Sequence, residues 1–483
     1  MPEKSIKVNS ILNVIKTISS IIFPLITFPY ISRMLQPENI GKVNFGSSFV
    51  NYFSLIASLG ITTYAIRECS AVRRDKYKLE KKASQIFSIN VCTTIFAYVL
   101  LGFSLTFFRK LDSYRTLIII QSTAILFTTW GADWLNSAME DFKFITVRSI
   151  AFQFISLILM LIFVHQPEDY LKYAAITVLS SCGANITNVF YRRKYCTVRF
   201  TKNMCWQEHF KPILLLCVMM LAQTIFNNTD TTMLGLMKSN FEVGIYNTAY
   251  RIKNIIVQVV ASLCWVVMPR LSYYFSKDDW DKVNAMLKKV LSVMVTIGFP
   301  CVAGCVVLSS EIIELVAGQE YLTASIPLII LMLSFLVDIF GGSFLGNMVC
   351  LPAKQEKIFM EACWFAAVIN VILNFILIPY GGASAAAFTS GISSFVIFVW
   401  LLIKKDKRIK LNYVTQVLKS PLVASLLIIL FCVIVKKVVS NLFAKIIICV
   451  LGSTLLYFIT LILSQNELIL EVCGEIKKRI RKM

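Results

Sequence analysis

Leu422-Val423-Ala424-Ser425-Leu426-Leu427-Ile428-Ile429-Leu430-Phe431-Cys432-Val433-Ile434-Val435 decides the fold class, together with Thr116–Phe127, which reads TLIIIQSTAILF. Both runs are apolar almost throughout and neither alternates. A strand of a membrane barrel would alternate between lipid and lumen, so the runs read as helices. Apolar blocks of this kind recur along all 483 residues, separated by short charged strings. The chain is 57% hydrophobic and 16% charged, with a mean hydropathy of +0.71. A soluble domain carries about 25% charged residues. About 20 apolar residues make a helix that crosses the hydrocarbon core, where the backbone must satisfy its own hydrogen bonds. The expectation is an all-α polytopic membrane protein.

Fourteen spans are expected, near 9–33, 43–66, 86–108, 116–138, 144–164, 171–191, 212–237, 245–268, 289–309, 325–350, 358–378, 383–403, 421–438 and 444–463. The apolar stretch after Ile11 is too long for a cleavable signal, and no small-x-small site follows it. Residues 11–33 are therefore expected to remain as the first span.

The net charge is +21. In a soluble chain that would suggest nucleic acid. Here the Lys and Arg residues concentrate at 67–82, 192–211, 270–289, 404–419 and 476–482, on alternate connections. The connections near 165–170, 311–323 and 379–382 have none. That is the positive-inside pattern, and it places both termini in the cytoplasm, with no nucleic acid as partner. Arg109, Lys110, Arg115, Lys436 and Lys437 are exceptions on the far side. The 14 cysteines are scattered without a zinc or disulfide pattern.

The sequence also repeats. Met34, Gly41 and Asn44 at the first junction match Met237, Gly244 and Asn247 at the seventh, at one constant spacing. Trp130-Gly131-Ala132-Asp133-Trp134-Leu135 resembles Phe340-Gly341-Gly342-Ser343-Phe344-Leu345. Six spans separate the matched pairs, so the halves share one orientation. The division expected is a six-helix bundle over 1–200, a second, pseudosymmetric six-helix bundle over 201–410, and two extra C-terminal helices with a basic tail over 411–483. Parallel repeats of this kind are found in transporters, with the substrate between the halves.

Ionisable residues inside spans cost roughly 2.5–3.5 kcal/mol each on insertion scales and mark functional candidates. Lys16 lies deep in span one, beside Asn13, Ser19 and Ser20, and Arg33 ends that span. Arg148 starts span five; Arg251 and Lys253 open span eight. Arg33 and Arg148 are open to a second reading, snorkelling to the headgroups. Phe226-Asn227-Asn228-Thr229-Asp230-Thr231-Thr232 is the most polar stretch of any span and should line a cavity or pack against polar groups. Asp133 and Asp338 lie close to the repeated Gly motif and could pair with a neighbouring cation. Pro24 and Pro29 suggest a kink in span one. His165 and His209 fall in expected loops on opposite sides. No P-loop, G-x-S-x-G or H-E-x-x-H is present and no loop could hold a catalytic domain, so covalent chemistry is not expected.

Several stretches carry a family resemblance. They are Phe28-Pro29-Tyr30-Ile31-Ser32-Arg33-Met34-Leu35, Ile40-Gly41-Lys42-Val43-Asn44-Phe45, Leu59-Gly60-Ile61, Tyr64-Ala65-Ile66-Arg67-Glu68, the Trp130–Leu135 motif and the block Asn370–Gly382. Together they resemble the bacterial polysaccharide repeat-unit flippases (Wzx-type O-antigen transporters) of the multidrug/oligosaccharidyl-lipid/polysaccharide exporter superfamily. The resemblance implies two helix bundles around a central cavity in the plasma (inner) membrane. It implies as substrate an undecaprenyl-pyrophosphate-linked oligosaccharide, moved to the outer leaflet for O-antigen, capsule or exopolysaccharide assembly. On that reading Lys16, Arg33, Arg251, Lys253, Asn13 and Asn227 bind substrate, and Asp230 and Asp133 tune or couple the cycle. No cofactor is expected beyond coupling to a proton or sodium gradient. Polymerase and glycosyltransferases of the pathway are expected partners. A multidrug/cation antiporter, a lipid II flippase and a membrane polysaccharide polymerase are the competing readings.

Overall fold

The computed structural model describes residues 6–470, apart from the side chains of 6–11, 13, 14, 17, 21, 215, 219, 263 and 265. No strand occurs among the described residues. The chain forms α1 (Ile6–Ser58), α2 (Ile61–Ala71), α3 (Lys76–Phe107), α4 (Arg115–Gly131), α5 (Trp134–Ala138), α6 (Phe142–Phe163), α7 (Tyr170–Tyr191) and α8 (Trp206–Met237). It continues through α9 (Asn240–Trp265), α10 (Met268–Ser276), α11 (Trp280–Val307), α12 (Ser309–Val316) and α13 (Ser325–Asp338). A π-helical stretch, Ile339–Cys350, follows. The last elements are α14 (Glu356–Lys404), α15 (Val414–Val438) and α16 (Leu442–Leu463).

Nine stretches among the described residues are long and apolar enough to cross a membrane. Two of them contain a reversal. Gln36 leaves the helical region inside α1, with φ 62° and ψ 166°. Lys16 and Asn51 then line the same cavity, although in one straight helix they would stand roughly 50 Å apart. Pro37 follows Gln36 and disfavours a helical residue before it. Pro24 and Pro29 keep helical dihedrals, and the chain reverses at Gln36. In α14 the reversal is Gly382, at φ 50° and ψ −131°, a conformation only glycine adopts readily. Thr389 then donates a hydrogen bond to Asn374, which in a straight helix would lie about 22 Å away. The expected fourteen crossings would need these hairpins and also α4, α7 and α9, which fall outside the nine.

The element order repeats, as the matched motifs suggest. The two limbs of α1, then α2 and α3, correspond to α8, α9, α10 and α11. A 3-10 turn precedes both α4 (Arg109–Tyr114) and α13 (Gln319–Ala324). Helices α6 and α7 correspond to the two limbs of α14. The aromatic-glycine motif breaks both copies: α4 ends at Gly131 with Ala132 left-handed, whereas α13 passes into the π-helical stretch.

The chain also divides into two compact units, 1–244 and 245–483. The first unit includes α8, because the polar segment of α8 packs on α1. Ser48 donates to the carbonyl of Asn228 at 2.9 Å, and its hydroxyl lies 2.7 Å from that of Thr232. The repeated glycine Gly41 sits against backbone here: a Cβ on it would come 1.7 Å from Asn240 O, and one on Gly244 would come 2.1 Å from Pro37 O. Within the second unit, α11 packs on α15 and α15 on α16. Glu311 of α12 ties these helices together, pairing with Lys436 at 3.0 Å and Lys445 at 3.7 Å.

Candidate functional site

A polar cavity of about 770 Å³ lies within the first unit, walled by α1, α3, α4, α6, α7 and α8. Local structure explains its charged wall. Helix α4 ends at Gly131, with Ala132 left-handed, and residue 131 must be glycine, because a Cβ there would meet Asn185 of α7 at 2.5 Å. Asn188 of α7 caps the break by donating to Gly131 O at 2.6 Å. Arg192 donates to Trp130 O at 2.7 Å. The next residues turn, and Asp133 faces the cavity.

Arg148 of α6 reaches Asp133 with Nη2. Its Nη1 donates to Ala184 O at 3.0 Å, and the guanidinium stacks over Phe144 at 5.1 Å. Only 6% of its side chain is exposed, against 32% for Asp133. A charge so buried has to be paired, and Asp133 supplies the pairing. Asn136 also donates to Asp133, at 3.2 Å. The snorkelling reading of Arg148 is therefore replaced: it points inward, not to headgroups.

Lys16, half-buried, lines the same cavity and has no ion-pair partner among the described residues. With Arg148 neutralised by Asp133, Lys16 gives the wall its positive charge. Asn51, Asn90, Gln153, Asn185 and Asn228 are in the same lining. Ser19 donates to Gln153 at 2.6 Å and Asn51 to Asn228 at 3.1 Å, so α6 and α8 are each tied to α1. Amides and hydroxyls in this density offer hydrogen bonds to a polyhydroxylated ligand, and the ammonium offers a charge-assisted one to an anion.

The other expected site residues fall elsewhere. Arg33 is exposed and donates to Pro29 O at 2.6 Å, away from the cavity lining. Asn227 is exposed, whereas its neighbour Asn228 is in the lining. Asp230 is 3% exposed and does not reach the cavity. Arg251 and Lys253 belong to the second unit, where the Lys253 ammonium lies 6.0 Å from the Tyr250 ring. The side chain of Asn13 lies outside the described residues. His209 does not lie in a loop. It is fully buried in the first turns of α8, with Nδ1 2.7 Å from the Tyr64 hydroxyl. Gln153 and Asn185 were not singled out from the sequence. Asn185 closes the small, polar run Ser180-Ser181-Cys182-Gly183-Ala184, which in an apolar span was a usable signal.

Membrane-length helices walling a polar, charged chamber define a polytopic integral membrane protein. The chain belongs to the polysaccharide biosynthesis protein family, whose model matches residues 6–275. A second family model, MatE, matches residues 216–376. The capsular polysaccharide biosynthesis protein CapF of Staphylococcus aureus is 25% identical over 76% of this chain and 91% of its own length. A putative O-antigen transporter of Shigella dysenteriae is 22% identical over 75% of this chain and 90% of its own length. Among solved structures, the lipid II flippase MurJ in an inward closed conformation superposes with a TM-score of 0.75 at 17% identity, covering 96% of this chain and 99% of its own. An inward-facing multidrug resistance MATE family transporter gives 0.61 at 11% identity, covering 79% and 94%.

Proposed function

We propose that the protein is a flippase. It carries undecaprenyl-pyrophosphate-linked oligosaccharide units from the cytoplasmic to the outer leaflet of the plasma membrane, by alternating access, without covalent chemistry. The observation that carries this reading is the cavity of about 770 Å³ in the first unit, where Lys16, without an ion-pair partner among the described residues, stands in a wall of amides and hydroxyls. A pyrophosphate and a glycan cannot cross about 30 Å of hydrocarbon unaided. Lys16 would replace part of the phosphate hydration, and Asn51, Gln153, Asn185 and Asn228 would take sugar hydroxyls. Arg148 would hold the wall in shape and add positive potential, with Asp133 as its counter-charge. Arg33, Arg251 and Lys253 would act at other stages of the cycle, and Asp230 would couple it to an ion gradient. The halves that alternate would be the sequence repeats 1–200 and 201–410, with 411–483 as an appendage. Names of relatives, among them transporters and a probable glycan flippase, fit this reading.

The MATE-like fold raises the cation antiporter as a second reading. A cationic drug needs an available acid. Among the described residues of the lining the acid is Asp133, already held by Arg148, so this wall favours anions. The test is complementation of a strain lacking its own repeat-unit flippase. Wild type should restore surface glycan, and Lys16→Ala, at equal membrane abundance, should not. Normal glycan with Lys16→Ala would remove the assignment.

A further inference from the structure

The second unit contains two cavities that the flippase reading does not use. One is polar, about 430 Å³, at the end of α11, α15 and α16 that carries the basic 404–419 connection. Lys288, Lys419, Ser292, Ser420 and Glu467 are in its lining. The other is apolar, about 550 Å³, between the same three helices. Leu468 lines both, so the polar chamber and the apolar slot adjoin.

Among the described residues that line the polar chamber, ammoniums outnumber carboxylates. Lys288 and Glu467 pair at 2.6 Å, and Gln416 donates to the same carboxylate at 3.0 Å. Lys419 has no ion-pair partner among the described residues. Among the described lining residues, two ammoniums stand against one carboxylate, an excess that a single phosphodiester would match. Serine hydroxyls beside it suit phosphate oxygens.

The slot has free space beside Gly304. A Cβ built on Gly304, in its wall, meets nothing within 4 Å. Its polar wall atoms are few, and Tyr457, the largest, spends its hydroxyl on Thr296 O at 2.8 Å. An apolar cavity of this kind holds hydrocarbon in preference to water. Its volume is in the range that takes one small organic ligand.

We propose that this paired chamber and slot bind one anionic bilayer phospholipid, with the phosphate at Lys419 and Lys288 and an acyl chain along Gly304 between α11, α15 and α16. The site is independent of the flippase reading. It seats α15 and α16 on α11 through a lipid as well as through their direct contacts.

The test uses the full chain in nanodiscs, with native mass spectrometry counting retained lipid. Phosphatidylglycerol should be retained at one copy in preference to phosphatidylcholine. Lys419→Ala should weaken phosphatidylglycerol retention about tenfold, the size of one charge-assisted hydrogen bond. Gly304→Leu, which fills the slot without touching the chamber, should weaken retention of both lipids. Wild-type retention in both variants overturns the proposal. So does undecaprenyl phosphate displacing phosphatidylglycerol from the wild type at equal concentration, since the site would then belong to a prenyl carrier. A melting curve of each variant in detergent, unchanged from wild type, shows that loss of lipid is not loss of fold.

Discussion

Arg148 and Asp133 form an ion pair in the cavity wall, joining α6 to the break between α4 and α5. The pair fixes the corner of the Trp130–Leu135 motif, because the same carboxylate also accepts from Asn136. It also leaves Lys16 as the cation of the cavity without an ion-pair partner among the described residues.

Asp133→Asn should therefore damage the fold before it damages selectivity. It leaves a guanidinium almost wholly buried without its counter-charge. Removing one partner of a buried pair costs about 3–5 kcal/mol, and the partial exposure of Asp133 places the loss near the low end, about 3. Thermal unfolding in detergent should show a clear drop in melting temperature. The double variant Asp133→Asn with Arg148→Met should recover part of it. An unchanged melting temperature for Asp133→Asn alone would show that the pair does not support the wall.

Gly41 and Gly102 should respond in opposite ways to alanine. At Gly41 the new methyl would run into the backbone of Asn240; at Gly102 nothing lies within 4 Å. Overpacking costs typically 1–3 kcal/mol, so Gly41→Ala should lower the unfolding temperature. Gly102→Ala should hold or raise it, since glycine inside a helix is roughly 0.5–1 kcal/mol worse than alanine. Equal effects of the two would mean that the close approach at Gly41 is not tight.

Gly382→Ala should loosen the hairpin in α14. An L-residue is strained at φ 50° and ψ −131°, by about 1–3 kcal/mol. The Thr389–Asn374 hydrogen bond depends on that turn. Cysteines at 374 and 389, in a background free of other cysteines, should crosslink with a short reagent when Gly382 is present and more slowly in Gly382→Ala. Equal crosslinking would place the reversal's origin elsewhere.

Tyr64→Phe should destabilise the junction of α2 and α8. The hydroxyl is bonded to His209 Nδ1 in a fully buried setting, and an orphaned buried polar atom costs about 1–3 kcal/mol. The melting temperature should fall in Tyr64→Phe, and an unchanged melting temperature would contradict the pairing.

Much of this was legible in the residues. Runs such as Leu422–Val435 can only be helices in lipid, and the repeat emerged from matched glycines that turn out to need close backbone contact. The hairpin of α14 was legible as two spans, but not the residue at which the chain reverses, Gly382. Its role is dihedral, and no spacing rule shows a dihedral. Arg148 near a helix start looks like any snorkelling cation; only the turn at Ala132 swings Asp133 to meet it. His209 was placed in a loop because its flanks are charged, and the burial that decides its role comes from α2 and α3, far away in sequence. Asn227 and Asn228 differ by one helical step of about 100°, which moves one outside and one into the cavity.

The central claim is that Lys16 takes the anionic end of a lipid-linked sugar. The most direct measurement is the binding of undecaprenyl-pyrophosphate oligosaccharide to the purified protein in nanodiscs, comparing wild type with Lys16→Gln. Binding should weaken about tenfold or more, the worth of one charge-assisted hydrogen bond, with the melting temperature unchanged. Equal affinity in a properly folded Lys16→Gln protein would contradict the account.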